Sequence, residues 1–419
     1  MENSASSFDI NTTKSPNDKK EYRLLSLDNG LEVILICDAT EDSQNTREEH
    51  ESSEGTASDT DDEMSDGDCS TSEQNENEFD GEEEEFEDHK EGSNGEGAQK
   101  KAAAAMAVGV GSFSDPGEVQ GLAHFLEHML FMGSEKYPTE NEYDAFISKN
   151  GGCANAYTEF EHTVYFFDVV PKALEKALDI FSQFFVAPLM RPEATARELG
   201  SIESEFCLSL NSDGCRLQQL VCHQAPEGHP YHCFAWGNHA SLRDAPAAAG
   251  ADTRAALQAF YRRHYRAPAM RLAVLGTQSL DELEQYVRQS FSAIPESRDD
   301  PSATTSSSKF TMVSFNGAGG PFPPEARGRI CRIVPVKDIH RLTLTWQLPC
   351  QFPNYRSKPA EYLGHLVGHE GAGSALALLK ARGLALALSA GVGHEGFESN
   401  TAAALFSVSV HLTDQGVAR

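Results

Sequence analysis

Two histidines and a glutamate lie close together in the stretch GLAHFLEHML. His124 and His128 are four residues apart, so on a helix both imidazoles point to the same side and can share one metal ion. Glu127 lies beside them, where its carboxylate could take a proton from a metal-bound water. The pattern H-x-x-E-H is that of inverted zinc peptidases and therefore predicts a zinc site with Glu127 as the general base.

The same stretch has the apolar pattern of a helix that packs on a core. Five apolar residues fall within about 140° of arc, and they are Leu122, Phe125, Leu126, Met129 and Leu130. The two histidines and the glutamate fall on the opposite face. An alternative interpretation is that these three polar residues form the solvated face of an amphipathic helix, so a third ligand is needed to decide.

A second helix, predicted over 192–210, offers that third ligand. Glu198 and Glu205 are seven residues apart and therefore lie about 20° from coincidence around the helix, whereas Glu203 points about 160° away from Glu205. Either of the first two carboxylates could bind the metal, and the other could then orient a histidine. Periodicity alone does not decide between these two assignments. A third interpretation is that both glutamates lie on a solvated helix face and bind no metal.

The charge of the chain is strongly negative and unevenly placed. Among 419 residues, 64 are acidic and 34 are Lys or Arg, which gives a net charge of −30. The stretch 41–96 contains 24 acidic residues against Arg47 and Lys90, a local net charge of −22. This balance argues against nucleic acid as a partner and favours basic peptides, basic proteins or polyamines. A block of this composition is typical of a disordered insertion.

The order of elements predicts an α+β protein with two domains. A hairpin is expected over Tyr22–Cys37, with its turn at Asp28-Asn29-Gly30. Further strands are expected over 153–170, 270–276, 329–336, 341–348 and 403–412. Helices are expected over 142–149, 172–185, 252–265, 280–291, 358–367 and 374–381. We predict a disordered N-terminus over 1–20, a first domain over 21–298 interrupted by an acidic insertion over 41–98, a linker over 299–309 and a second domain over 310–419.

No stretch resembles a signal peptide, and none has the roughly 18 consecutive apolar residues that could span a bilayer. We therefore expect no transmembrane segment and a cytoplasmic location. The last residues follow a predicted strand without a closing helix, so we expect the chain to end inside a domain. Nothing in the sequence indicates an oligomeric state.

Several long stretches resemble the first domain of the pitrilysin-type (M16) metallopeptidases. They are GSFSDPGEVQGLAHFLEHMLFMGSEKYPTENEYDAF, NGGCANAYTEFEHTVYFFDVV and RELGSIESEF. The resemblance continues through FYRRHYRAPAMRLAVLG, RIVPVKDIHRLTLTWQLP and YLGHLVGHEGAGS, so it covers nearly all of the chain after residue 100. It implies an M16-type (LuxS/MPP-like) fold, in which a mixed sheet has flanking helices, followed by a second, incomplete domain of the same type.

The resemblance also implies a function for the metal site. His124 and His128 become zinc ligands, Glu127 the general base and Glu205 the third ligand, with one Zn²⁺ per chain. Glu198 becomes the carboxylate that supports a ligating histidine. The implied activity is that of a zinc metalloendopeptidase that hydrolyses peptides.

Other positions match regions that bind substrate in this family. Asn155, Ala156 and Tyr157 resemble an edge strand that pairs with the substrate backbone, a mode that tolerates varied side chains. In the second domain, His369, Gly371 and Gly391 fall in the region that anchors the N-terminus of a peptide.

The acidic insertion distinguishes subgroups of the family. One subgroup carries such an insertion between its first strands and cleaves at basic or dibasic sites, and this chain is most similar to it. The nearest alternative is a subgroup that shares the metal site but lacks the insertion.

Members of this family type have four similar domains, and the sequence accounts for the first and about half of the second. A different hypothesis follows, in which the chain is a catalytically weak or inactive relative. Its acidic segment would then serve as a binding module for basic proteins or polyamines.

Overall fold

The structure is a computed structural model. It describes residues 10–38, 100–297 and 320–418. The predicted acidic insertion over 41–98 and the predicted linker over 299–309 lie outside these residues. Within them, the first sheet has six strands in the order β1-β2-β6-β3-β5-β4. Its strands are β1 (Glu21–Ser26), β2 (Glu32–Cys37), β3 (Ala102–Val108), β4 (Cys153–Thr158), β5 (Thr163–Val169) and β6 (Met270–Gly276). The pair β2–β6 is parallel and the other pairs are antiparallel, which confirms the predicted mixed sheet.

Helices surround this sheet. In chain order they are α1 (Leu122–Leu130), α2 (Glu142–Lys149), α3 (Leu174–Val186), α4 (Pro192–Ser209), α5 (Asp213–His223), α6 (Ala245–Ala248), α7 (Thr253–His264) and α8 (Leu280–Phe291). Alternate residues of β3, β5 and β6 are buried, as expected for a sheet that packs helices on one face. No helix of the described residues is both long and apolar enough to cross a membrane.

Local sequence signals place most of these elements correctly. The hairpin β1–β2 forms with Gly30 at φ +84°, the left-handed conformation that its turn requires. The helix predicted over 142–149 and the strand predicted over 270–276 have the predicted bounds. The short helices α5 and α6 were not predicted. The mixed α+β class is therefore confirmed.

A half-buried aspartate fixes the start of α1. The Asp115 carboxylate accepts hydrogen bonds from the backbone N–H groups of Gly121, Leu122 and Ala123, at 2.7, 3.2 and 2.8 Å. These donors have no partner within the helix, and a negative charge at a helix N-terminus is favourable. Asp115 thus holds the first turn of the helix that carries both histidines.

The second unit contains a three-stranded antiparallel sheet in the order β7-β9-β8. Its elements are β7 (Arg341–Leu348), α9 (Pro359–Val367), α10 (Ala375–Ala381), β8 (Ala385–Val392), β9 (Ala404–Leu412) and α11 (Asp414–Val417). The helix α9 packs closely on β8. A Cβ atom added to Gly364 would lie only 3.1 Å from the Cα of Gly391. The sequence does not predict β8, because its Ala-rich and Gly-containing segment has weak strand propensity.

The strand predicted over 329–336 is wrong. No strand forms there, and the side chains of Ile330 and Val334 are 89% and 81% exposed. The backbone is instead held by α5, where Asp213 accepts the N–H groups of Val336 and Lys337. The alternating apolar pattern was therefore not sufficient without a neighbouring strand to pair with.

Residues 10–20 differ from the disordered N-terminus predicted over 1–20. They contain a short 3₁₀ turn at Ile10–Thr12. The Asn11 side chain bonds the backbone of Tyr22 in both directions, donating to its carbonyl at 2.9 Å and accepting from its N–H at 3.1 Å. This side chain gives the edge strand β1 a partner that composition does not reveal.

The two units meet at the turn between β4 and β5. Glu161 is only 3% exposed and accepts the N–H of Thr401 at 2.8 Å, and Glu159 accepts the N–H of Gly396 at 2.8 Å. An aromatic cluster joins the same two units, and it contains Phe113, Phe160, Tyr231, Phe322 and Phe397. Burial raises the pKa of both glutamates, as expected for carboxylates enclosed between two packed units.

Removing the cap of α1 should destabilise the first unit. We expect Asp115→Ala to lower the free energy of unfolding by about 2 kcal/mol, because three N–H groups lose their acceptor. Asp115→Asn keeps one side-chain oxygen and should lose less. Denaturant unfolding followed by far-UV circular dichroism measures both, and a stability of Asp115→Ala equal to wild type would contradict this role.

Candidate metal centre

Both faces of α1 are buried. The five predicted core residues are fully buried, and His124 and Glu127 are only 9% and 8% exposed. The face that carries them is covered by α4, so the three polar residues do not form a solvated surface. Buried ionisable groups need partners, and these residues find them on α4, on β4 and on a loop after α5.

Three side chains converge above this face of α1. The Nε2 atoms of His124 and His128 are 3.3 Å apart, and Glu205 Oε2 lies 3.5 Å from each. Ligands at the corners of a tetrahedron around zinc, with bonds of about 2.0–2.1 Å, are about 3.3–3.4 Å apart. The spacing of these three atoms therefore fits a zinc ion held by His124, His128 and Glu205 with one position open.

The other nitrogen of each histidine is already engaged. His124 Nδ1 lies 2.7 Å from the carbonyl oxygen of Trp236, and His128 Nδ1 lies 3.4 Å from Glu198 Oε2. Both partners can only accept hydrogen bonds, so each Nδ1 carries the proton and each Nε2 presents a lone pair. Glu205 Oε2 is also buried and makes no hydrogen bond of ordinary length. With both imidazoles neutral, three acceptor atoms face one another, and only a cation, either a proton or a metal ion, can bridge them.

Without a metal, a proton is the cation that this arrangement attracts. Burial lowers the pKa of His128, but the carboxylates of Glu198 and Glu205 outweigh it and raise the pKa to about 10. Burial raises the pKa of Glu205, and His128 more than compensates, so the net change is downward. The site is therefore built to concentrate negative potential on the point between the three ligand atoms.

A hydroxyl group holds the predicted general base. Thr158 Oγ1, at the end of β4, donates to Glu127 Oε2 at 2.5 Å. The partner residue on β5, Thr163, donates to the carbonyl of Val110 at 2.9 Å. Glu127 is thereby fixed beside the cluster and next to the strand predicted to bind substrate.

The predicted substrate-binding residues lie on two different units. Asn155, Ala156 and Tyr157 are on β4, which is an edge strand among the described residues, and Tyr157 is 46% exposed. In the second unit, His369 and Gly371 directly follow α9, which packs on β8 where Gly391 lies. Their roles in binding remain predictions.

The structure brings in partners that sequence reasoning did not identify. The carbonyl of Trp236 belongs to a loop distant in sequence, and a backbone acceptor leaves no signal in residue type. Thr158 directly follows Tyr157, the last residue predicted to bind substrate. This position is the sequence signal that could have identified Thr158 as a residue of the site. Glu203, set aside because it points away from Glu205, bonds the N–H of His239 at 2.6 Å.

Two family models match the chain in consecutive regions. Residues 94–225 match the insulinase model of peptidase family M16, and residues 253–419 match the model described as the peptidase M16 inactive domain. The metal cluster lies within the first match. The second match agrees with the second M16-type unit predicted from the sequence.

Curated relatives are similar to this chain over long stretches. A nardilysin-like protein of Arabidopsis thaliana is 48% identical over 74% of this chain and 29% of its own length. Human nardilysin is 44% identical over 74% of this chain and 26% of its own length. Human insulin-degrading enzyme is 35% identical over 97% of this chain and 32% of its own length. The chain thus spans less than a third of these relatives.

The fold has a solved counterpart. A crystal structure of pitrilysin matches with a TM-score of 0.70 at 24% identity, over 97% of this chain and 35% of that chain. Its likeness confirms the predicted fold. Two of the three relatives named above are nardilysin types, in line with the subgroup that the chain most resembles. Together, the consecutive domain matches, the relatives and the fold establish that this chain belongs to the M16 family of peptidases, with nardilysin-like relatives.

Proposed function

We propose that this chain carries the catalytic metal centre of a zinc metalloendopeptidase. His124, His128 and Glu205 would hold the ion, Glu198 would orient His128, and Glu127 would be the general base. The observation that carries this proposal is the convergence of three acceptor atoms, 3.3–3.5 Å apart, on one buried and two half-buried side chains, with both histidine Nδ1 atoms engaged elsewhere. A protein rarely buries such a group of acceptors without a cation to bind them.

Each residue of the site has a distinct role in the proposed reaction. A bound zinc ion supplies a Lewis acid that polarises a carbonyl group and lowers the pKa of water. Glu127 accepts a proton from the attacking water and returns it to the leaving amine. The Thr158 hydroxyl keeps the Glu127 carboxylate in one orientation through its 2.5 Å hydrogen bond. β4, which ends at Thr158, offers its free edge to a substrate in extended conformation.

We propose that the substrates are peptides, cut at basic or dibasic sites. Support comes from the charge of −22 over residues 41–96, which attracts cationic partners. The residues that flank this segment, Asp38 and Lys100, lie beside the start of β3, whereas Thr158 and Glu127 lie near its end. The length of β3 therefore separates the flanks of the acidic segment from Thr158 and Glu127 by about 20 Å. This distance exceeds a Debye length of about 8 Å, so the flanks themselves contribute little at the site.

A second candidate role rests on the same charge. The acidic segment would bind basic proteins or polyamines, with the zinc-binding unit as a scaffold. This role needs no hydrolysis, and it differs from the first in its response to salt and to chelators.

Substitution of Glu127 tests its role as the general base. We expect Glu127→Gln to retain about one zinc per chain and to lose hydrolysis of a fluorogenic peptide by about 100-fold or more, because a proton acceptor is lost while the ligands remain. Glu193→Gln, an exposed change on α4, is the matched control. Wild-type hydrolysis by Glu127→Gln would contradict the mechanism, and a wild-type chain that binds zinc without hydrolysis would favour the scaffold role.

The two carboxylates on α4 should behave differently. Glu205→Gln should lose stoichiometric zinc, since a ligand is removed. Glu198→Gln should keep the site and weaken zinc binding by about 10–100-fold, since only the orientation of His128 is disturbed. Competition with a chromophoric chelator measures both affinities. The reverse ranking would assign the third ligand to Glu198.

Deletion of the acidic segment tests substrate preference. Its flanks are two strand spacings apart, about 10 Å, so a Gly-Ser linker of about six residues can replace residues 41–98. We expect a several-fold higher KM for a basic peptide and a weaker salt dependence, with kcat unchanged. A neutral peptide is the control. An unchanged KM for the basic peptide would exclude the electrostatic role.

A further inference from the structure

The loop formed by residues 234–239 contacts the metal centre without supplying a ligand. Its Trp236 carbonyl accepts the Nδ1–H of His124 at 2.7 Å. A carbonyl oxygen cannot donate, so this contact fixes the tautomer of His124 and aims its Nε2 at His128 and Glu205. The position of this one carbonyl therefore decides whether His124 faces the other ligands.

The loop is attached to the start of α1 by close packing. Gly121 has φ +88°, and a Cβ there would lie 2.2 Å from the Cα of Gly237. Gln120 accepts the N–H of Phe234 at 3.0 Å through its side chain, and its carbonyl accepts the hydroxyl of Ser241 at 2.8 Å. These contacts hold the start and the middle of the loop, and Ser241 just beyond its end.

The end of the loop is held by α4. Glu203 Oε2 accepts the backbone N–H of His239 at 2.6 Å and lies 3.6 Å from its Nδ1. A hydrogen bond to an ionised carboxylate is about twice as strong as one between neutral groups. His239 is three residues from Trp236, so this bond limits how far the Trp236 carbonyl can move.

We propose that Glu203 is a positioning residue for the metal centre, acting on His124 through residues 234–239. This inference rests on the proposed zinc function. The helix α4 then orients all three ligands: it supplies Glu205, it holds His128 through Glu198, and it holds His124 through Glu203 and the loop. Two opposite faces of one helix thus serve the same ion.

Metal affinity tests this role without relying on catalysis. We expect Glu203→Ala to weaken zinc binding by about tenfold or more in competition with a chromophoric chelator, in the range found when partners of metal ligands are removed. Glu203→Gln keeps an oxygen acceptor and should restore most of the affinity. Glu193→Ala, on the same helix and exposed, is the matched control.

Two further readouts separate positioning from folding. The visible spectrum of the Co²⁺-loaded chain should change in Glu203→Ala and match wild type in Glu203→Gln, because the ligand geometry depends on His124. Thermal unfolding of the metal-free chain reports whether the variant folds. If Glu203→Ala does not fold, Glu203→Asp, which withdraws the carboxylate by one methylene, takes its place in the same measurements.

The outcomes are distinct. Zinc affinity and Co²⁺ spectrum equal to those of Glu193→Ala, in a wild-type background that binds one zinc ion, would overturn the role of Glu203. A wild-type chain that binds no zinc would instead overturn the proposed function. Weaker binding in Glu203→Ala with recovery in Glu203→Gln supports the inference.

Discussion

The candidate metal centre depends on one electrostatic constraint: three acceptor atoms, the Nε2 atoms of His124 and His128 and Glu205 Oε2, lie within 3.3–3.5 Å of one another. Such an arrangement is unfavourable unless a cation occupies the space between. The surrounding structure maintains it by giving each histidine Nδ1 an acceptor, Trp236 for His124 and Glu198 for His128. The three atoms therefore face one another rather than other partners, which is the preorganisation that the proposed metal site requires.

Two helices and one loop satisfy this constraint together. The helix α1 is held at its start by Asp115 and by the close approach of Gly121 to Gly237. The helix α4 covers the polar face of α1 and brings carboxylates to it. Since α1 is buried on both faces, its histidines have few rotamers available, which lowers the entropy lost when a metal binds.

The strand β4 connects this site to the part of the molecule that would meet a peptide. Its edge is free among the described residues, its last residue holds Glu127, and the turn that follows packs on the second unit through Glu159 and Glu161. A change at the contact between the two units therefore lies only a few residues from the general base. The acidic segment has its flanks at the opposite end of the sheet, although it precedes the metal motif closely in sequence.

Short-range sequence patterns predicted the features that repeat with a regular period or depend on local turn chemistry. The spacing of His124 and His128, the apolar face of α1, the first hairpin and the mixed α+β class all follow from such short-range rules. Periodicity could not choose between Glu198 and Glu205, because both lie on one helix face; the family resemblance favoured Glu205, and in the fold its Oε2 lies 3.5 Å from both histidine Nε2 atoms. The tertiary structure also assigned partners to Glu203 and to His124, and it left the apolar segment 329–336 unpaired. These outcomes depend on contacts between distant parts of the chain, which local patterns do not encode.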